Sequence, residues 1–262
     1  MNRPLATLSE QANALREAHY VNLPLILVNI WDVASARQVE QEGFPFLATS
    51  SSAIAKILGE QDTNSMDPAL AFSVVRRIVD GTSRPVTADI EAGYRLTPKD
   101  LARTLIDVGA VGCNIEDSDH RSGGLIPAEE QATRIEELKQ EAQRIGVDIV
   151  VNARIDTIVR SIGNEAEQLE EAIRRAQLYA QAGADCVYPI MLKGKDRIAK
   201  FVAAVGLPVN INVRPGSDRV VDLVALGVSR FSFAGGIFRY TQLALTRILE
   251  QLAVDADALT SD

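Results

Sequence analysis

Cysteine and histidine are scarce. The 262 residues hold two of each: Cys113, Cys186, His19 and His120. The cysteines form no CxxC pair and no zinc-type spacing, which excludes a disulfide framework and a Cys/His metal centre. Thiols used so sparingly suit a reducing compartment, so a cytoplasmic location is expected. Long apolar runs are missing as well. None reaches the roughly 18 residues that a membrane-spanning helix needs, and the start at Met1-Asn2-Arg3-Pro4 leads into no signal-type apolar stretch. Positive charge is in deficit, with 27 Lys and Arg against 35 Asp and Glu, a formal net charge of −8. That balance argues against nucleic acid and against an anionic membrane surface as partners. No low-complexity linker or break in composition interrupts the chain. One domain over residues 1–262 is therefore expected, although about 150 residues per domain would leave room for two small ones.

What is present is the composition of an ordinary globular protein, 47% hydrophobic and 24% charged, long enough to bury a large core. Two kinds of segment alternate. Short apolar, β-branched runs predict strands at Leu25–Ile30, Phe46–Ala48, Val86–Ile90, Gly112–Ile115, Ile149–Asn152, Cys186–Pro189, Val209–Val213 and Arg230–Phe233. Helical periodicity lies between them at Ala34–Glu42, Pro68–Asp80, Pro98–Val108, Ala128–Ile145, Glu165–Ala182, Asp196–Ala204 and Ser217–Leu226, with a last helix from about Phe238 to Val254. A further helix leads the chain within residues 1–20, and residues 255–262 read as a frayed tail. Asp67-Pro68 and Thr97-Pro98 are helix starts, a capping side chain followed by proline at the first helical position. The phrases Asp107-Val-Gly-Ala110, Gln181-Ala-Gly-Ala184 and Ala225-Leu-Gly-Val228 each stop a helix at a glycine and lead into a buried strand.

Eight strands in 262 residues give about 33 residues per βα unit, the proportion of a (β/α)8 TIM barrel. Apolar runs without alternation fit parallel strands covered on both faces. A doubly wound open sheet is the competing architecture.

In a barrel the chemistry lies at the carboxyl ends of the strands. Polar residues that a packed core would reject collect there. Strand 3 ends in Asp89-Ile-Glu-Ala-Gly-Tyr94, strand 4 ends in Glu116-Asp117, and strand 5 ends in Asn152-Ala-Arg-Ile-Asp156. Thr49-Ser-Ser-Ser52 follows strand 2, with Asp62 in the next loop. Asp62, Asp89, Glu91 and Glu116 could meet at one mouth, where like charges repel unless a cation sits among them. Oxygen ligands without clustered His or Cys select a hard ion, Mg²⁺ or else Mn²⁺, held partly through water. The other reading is four separate helix-capping acids. Arg154 can clamp an anionic substrate or pair with Asp156 or Glu116. Thr49, Ser50 and Ser51 can bind a carboxylate or cap a helix.

These residues resemble the isocitrate lyase / phosphoenolpyruvate mutase superfamily, from about Leu25 to Gly236. The resemblance is carried by Asn29-Ile-Trp-Asp-Val-Ala-Ser-Ala36, Thr49–Ser52, Gln61-Asp-Thr-Asn64, Ala88-Asp-Ile-Glu-Ala-Gly-Tyr94, Asn114-Ile-Glu-Asp117 and Asn152-Ala-Arg-Ile-Asp156. It implies a (β/α)8 barrel, a last helix swapped between subunits of a homodimer or homotetramer, Mg²⁺, and a small carboxylate or phosphonate substrate that is or becomes a 2-oxo acid. It implies that Asp89 contacts the metal and that Asp62, Glu91 and Glu116 complete its shell mainly through water. Ser50 and the amides after it would hold a pyruvate-like carboxylate, Arg154 would neutralise substrate, and Tyr94 would line the pocket.

The chain departs from that pattern where the reaction is decided. The lyase Lys-Lys-Cys-Gly-His lid and the mutase Lys-Thr-Asn feature are both absent. Cys113 and Cys186 fall inside strands as small buried hydrophobes. The lid is short, Asp117-Ser-Asp-His-Arg-Ser-Gly-Gly124, and offers His120 as an acid or as a plain solvated histidine. Arg95 stands where glycine is usual. Asn212 and Arg214 end strand 7, where Arg214 can take a second substrate carboxylate or lie on the surface. The expected activity is a Mg²⁺-dependent C–C lyase acting on a 2-oxo or 2-hydroxy di- or tricarboxylate through an enolate. A phosphonomutase or phosphonopyruvate hydrolase and a non-catalytic carboxylate-binding barrel are the alternatives.

Overall fold

The computed structural model describes residues 3–21 and 23–259. Helix α1 (Leu5–Glu17) precedes β1 (Leu25–Ile30), α2 (Val33–Gln41), β2 (Leu47–Thr49), α3 (Ser51–Leu58) and α4 (Pro68–Gly81). Then come β3 (Val86–Asp89), α5 (Pro98–Asp107), β4 (Gly112–Glu116), α6 (Ala128–Ile145), β5 (Val150–Ile155) and α7 (Glu165–Gln181). The chain ends with β6 (Cys186–Pro189), α8 (Lys195–Val205), β7 (Asn210–Asn212), α9 (Val220–Ala225), β8 (Arg230–Ser232) and α10 (Gly236–Val254).

All strand pairs are parallel, in the order β6-β5-β4-β3-β2-β1-β8-β7. First and last strands pair, Leu25 opposite Arg230 and Leu27 opposite Ser232. A single parallel bridge, Val187 to Val209, joins β6 to β7 and closes the ring. This is the (β/α)8 barrel, and the β1–β8 pairing excludes the open doubly wound sheet. Among the described residues no helix is long and apolar enough to cross a membrane.

Local signals place the helices. Asp67 and Thr97 accept hydrogen bonds from the Ala69 and Asp100 amides at the starts of α4 and α5. Asp32 with Ser35, and Asn164 with Glu167, close capping boxes on α2 and α7. Each helix turns an apolar face to the strands. Leu101, Ala102, Leu105 and Ile106 on α5 and Ile135, Leu138 and Ala142 on α6 are buried against the outside of the sheet.

Most elements shift by a residue or two at their ends, and three differ more from the sequence reading. Helix α3 was expected only as a helix start, because eight residues opening on serines carry little periodicity. Its ends are nonetheless marked by the capping Ser50 and the left-handed Gly59 (φ 72°). Strand β5 runs on to Ile155, so Arg154 stands on the strand and not in a loop. Helix α9 covers only Val220–Ala225 of the predicted 217–226. Asp255–Leu259 lie beyond the last helix, and the rest of the expected tail, with residues 1 and 2 of the leading segment, falls outside the described residues.

The two ends of the barrel are both polar. At the amino-terminal end, α1 forms a floor. Arg16 reaches Asp185 at 2.7 Å and Asp148 at 3.0 Å, and Lys139 reaches the same two acids at 3.0 and 2.6 Å. The carboxyl-terminal end is the mouth.

Candidate active site

The turn from β2 into α3 builds the first wall of the mouth. Ser50 caps α3, accepting from the Ala53 amide at 3.4 Å, and its hydroxyl meets Ser52 Oγ at 3.1 Å. The first helical residue, Ser51, donates from both its amide (3.0 Å) and its hydroxyl (2.9 Å) to Asp89 Oδ2. A carboxylate thus sits at a helix amino terminus, where the dipole and free N–H groups favour negative charge. The hydroxyl of Thr49 accepts from the Asp89 amide at 2.8 Å. Thr49 and Ser51, expected to bind substrate, therefore hold Asp89 in place.

Sequence reasoning missed the other side of that support. Asn114 Nδ2 donates to Asp89 Oδ1 at 2.8 Å, and Asn152 Nδ2 donates to Asn114 Oδ1 at 2.9 Å. Asparagines on β4 and β5 thus form a relay across three strands to the acid on β3. Both were read only as members of longer motifs. Their signal was amide side chains inside strands that otherwise read as apolar.

The turn after β3 is strained. Glu91, Tyr94 and Arg95 all have φ between 49° and 65°, a region that non-glycine residues enter at a cost. Asn64, itself left-handed at φ 54°, over-determines the turn. Its side-chain oxygen accepts from the Tyr94 amide at 2.7 Å, and its own amide donates to Glu91 Oε2. The loop carrying Asp62 is thereby pinned over the mouth. The Tyr94 ring turns inward and packs edge-on against Phe72, centroids 5.8 Å apart, so it belongs to the core. Burial and the four mouth carboxylates push its phenol well above the ordinary tyrosine range.

Glu116 ends β4 between a guanidinium and an imidazole. Its Oε2 accepts from Arg154 Nη1 at 2.7 Å and its Oε1 meets His120 Nε2 at 2.5 Å. Arg154 also grips Asp156 with Nε (2.7 Å) and Nη2 (2.9 Å). Both partners weighed for Arg154 are thus engaged at once. Burial opposes its charge, but Glu116 and Asp156 outweigh that and keep it cationic. Arg160, which sequence reasoning missed, donates to Ser118 Oγ at 2.8 Å and lies 3.5 Å from His120 Nδ1. The lid holding His120 is a tight hairpin, with Ser118 bridged to Leu125 and the Asp119 amide bonded to the Gly124 carbonyl. On the rim, Asn212 is buried at the end of β7, and half-buried Arg214 makes no side-chain hydrogen bond or ion pair among the described residues.

The acids respond to one another. Burial, then Asp62, pushes Glu91 up to about 8. Burial, then Asp89, pushes Asp62 up to about 6, although Asp62 sits on an exposed loop. Glu91 Oε1 is buried with no partner. Among the described residues, no three His, Cys, Asp or Glu side chains converge as direct ligands of a metal ion. Asp89 and Glu116 have both oxygens committed to protein donors. An orphaned carboxylate oxygen among mutually repelling acids still suits a hard cation, provided most of its shell is water. Outside the mouth, a groove of about 640 Å³ runs past Asn64, Arg95, His120, Arg121 and Arg134.

The model of the phosphoenolpyruvate phosphomutase family matches residues 15–253, nearly the whole barrel. The chain belongs to this family. Its relatives include the 2-methylisocitrate lyase of Escherichia coli K12, 28% identical over 79% of this chain and 71% of that one. The oxaloacetate decarboxylase of Bradyrhizobium diazoefficiens is 26% identical over 75% of this chain and 69% of that one. Among solved structures, a Burkholderia cenocepacia protein provisionally described as a phosphonomutase superposes with a TM-score of 0.87 at 36% identity, covering 92% of this chain and all of that one. The phosphomutase family member described here therefore stands among lyases and mutases of the isocitrate lyase / phosphoenolpyruvate mutase superfamily.

Proposed function

We propose that the protein is a Mg²⁺-dependent lyase, with Mn²⁺ as the substitute ion. It would cleave a C–C bond beside the carbonyl or hydroxyl of a small di- or tricarboxylate through an enolate. The observation that carries this reading is the set of Asp62, Asp89, Glu91 and Glu116 around an orphaned oxygen of Glu91, where burial and the neighbouring acids raise the proton affinity of Asp62 and Glu91. Those four would hold the ion, largely through water. A bound divalent ion would act as a Lewis acid on the developing oxyanion.

The remaining chemistry falls to this chain's own groups. Arg154, fixed by Glu116 and Asp156, presents a pre-aimed positive charge that costs no reorganisation as anionic charge develops. Unpaired Arg214 takes the far carboxylate of the substrate. Ser50 and the Ser52 amide at the start of α3 hold the near one. His120, oriented by Glu116 and flanked by Arg160, delivers a proton to the departing carbanion equivalent. The Arg95 and Arg121 groove admits the acid. The test is purified, Mg²⁺-loaded protein against a panel of 2-oxo acids and methylisocitrate-type acids, read by appearance of a 2-oxo acid product. Turnover that EDTA abolishes is expected. Complete inactivity across the panel overturns the reading.

The likeness at 36% identity to the Burkholderia protein favours one second reading, C–P bond chemistry on a phosphonate. The ³¹P spectrum of phosphonopyruvate mixed with enzyme decides it, since conversion moves the phosphorus signal and inertness leaves it in place.

We also propose a homodimer or homotetramer. Helix α10 leaves Tyr240, Leu243, Leu249 and Val254 about half or more exposed, a large apolar surface for one protomer. Seating this helix on a second copy would cover it. Light scattering should give a mass of at least two chains, and a monomer at micromolar concentration refutes the assembly.

A further inference from the structure

Arg230 opens β8 and is 2% exposed, the bulkiest of the fully buried side chains. Its Nε and Nη1 lie in the barrel interior with no hydrogen-bond partner, and no acid pairs with it among the described residues. An isolated buried charge is among the most costly features a core can contain. Of the neighbouring acids, Asp89 acts on it through space, without an ion pair. Burial pushes the thiols of Cys113 and Cys186 up to about 12, and the Tyr188 phenol above its ordinary range, so all three are neutral. Asp89 has both oxygens committed to Ser51 and Asn114. Asp185 on the floor is held by Arg16 and Lys139.

Arg230 also lines a narrow, partly open cavity of about 30 Å³ that reaches up to Asp89 and Arg154 at the mouth. That space holds one or two water-sized spheres, hence one halide-sized ion, and no organic substrate. Further uncommitted polar atoms face the same interior. Tyr188 OH and Thr87 Oγ1 line the cavity without partners and can each donate. Asn210 reaches Ser232 Oγ at 3.1 Å, and that hydroxyl can donate as well as accept, so Asn210 can turn either end of its amide inward. Water alone would satisfy hydrogen bonds and leave the charge unbalanced. A small anion does both.

We infer that the barrel core binds one small monovalent inorganic anion, of the halide class, on Arg230 and Tyr188. The site lies in the same cavity as Asp89 and Arg154, on residues to which the proposed reaction gives no role, and stands whether or not the protein is a lyase. Its test is anomalous diffraction from crystals of the full chain grown or soaked in bromide. A bromide peak within hydrogen-bonding distance of Arg230 is expected. Ordered water in that place, with no anomalous peak, overturns the inference. In solution, the melting temperature should rise with chloride and not with gluconate at equal ionic strength, and Arg230→Met should lose that difference. A chloride dependence that survives in Arg230→Met also overturns it. Should that variant fail to fold, the bromide peak in the unaltered protein still decides.

Discussion

The mouth and the floor of this barrel each gather several ionic side chains and treat them in opposite ways. On the floor, Asp148 and Asp185 face Arg16 and Lys139 at 2.6–3.0 Å, each acid meeting both cations. At the mouth, burial and neighbouring acids push Asp62 up to about 6 and Glu91 up to about 8, and Glu91 stands on a turn with three left-handed non-glycine residues. Charge on the floor is neutralised locally and supports the fold. Charge at the mouth is left in tension, the signature of a site that expects an ion or a ligand.

Four outcomes would break or sharpen that contrast. The largest effect is expected at the mouth. Asp89→Ala should lower turnover by about 10³-fold, the scale of losing a main electrostatic element, while the urea midpoint stays close to wild type. Loss of folding with that variant would make the mouth as structural as the floor. The converse change, Asp185→Ala, leaves Lys139 and Arg16 short of a partner. It should cost about 3–5 kcal/mol in denaturant unfolding and leave activity per folded molecule unchanged.

Third comes pH. His19 is buried in the floor, donating from Nδ1 to the Leu15 carbonyl (2.8 Å), and burial followed by the Arg230 charge pushes its imidazole down to about 4 from 6.5. Between pH 6.5 and 4 the unfolded chain takes up a proton there that the folded chain refuses. Stability is therefore full above pH 6.5 and falls by up to about 3 kcal/mol as the pH drops to 4. His19→Gln should flatten that part of the profile, and an unchanged slope would locate the proton uptake elsewhere. The smallest effect belongs to neither end. Thr97→Ala removes the α5 cap (3.2 Å to the Asp100 amide) and should cost about 1 kcal/mol with no change in turnover.

Much of the barrel was legible in the chain. Gly109, Gly183 and Gly227 stand at φ 81–91° where the repeated phrases placed helix ends, because only a residue without a Cβ adopts that turn freely. The four acids were legible because a carboxylate just past an apolar strand has few structural uses. Asn114, Asn152, Tyr188 and Arg230 were not. Both faces of a barrel strand are buried, so alternation marks neither the interior nor a polar side chain that points into it. Arg154 was found as a charge at the end of strand 5, but the strand itself was read only to Asn152, since a guanidinium inside a strand contradicts the apolar run by which strands are recognised. Asn64 had no local signal, for its role depends on a turn 27 residues away.

The ring of strands is not equally tied around its circumference. Neighbouring strands share two to five facing residue pairs, but β6 and β7 meet at Val187 and Val209 alone. That gap is a zipper's last tooth. Amide exchange should begin along it, and if the wall ever parts to let an ion reach Arg230 or a bulkier acid settle deeper, it will part between Tyr188 and Asn210.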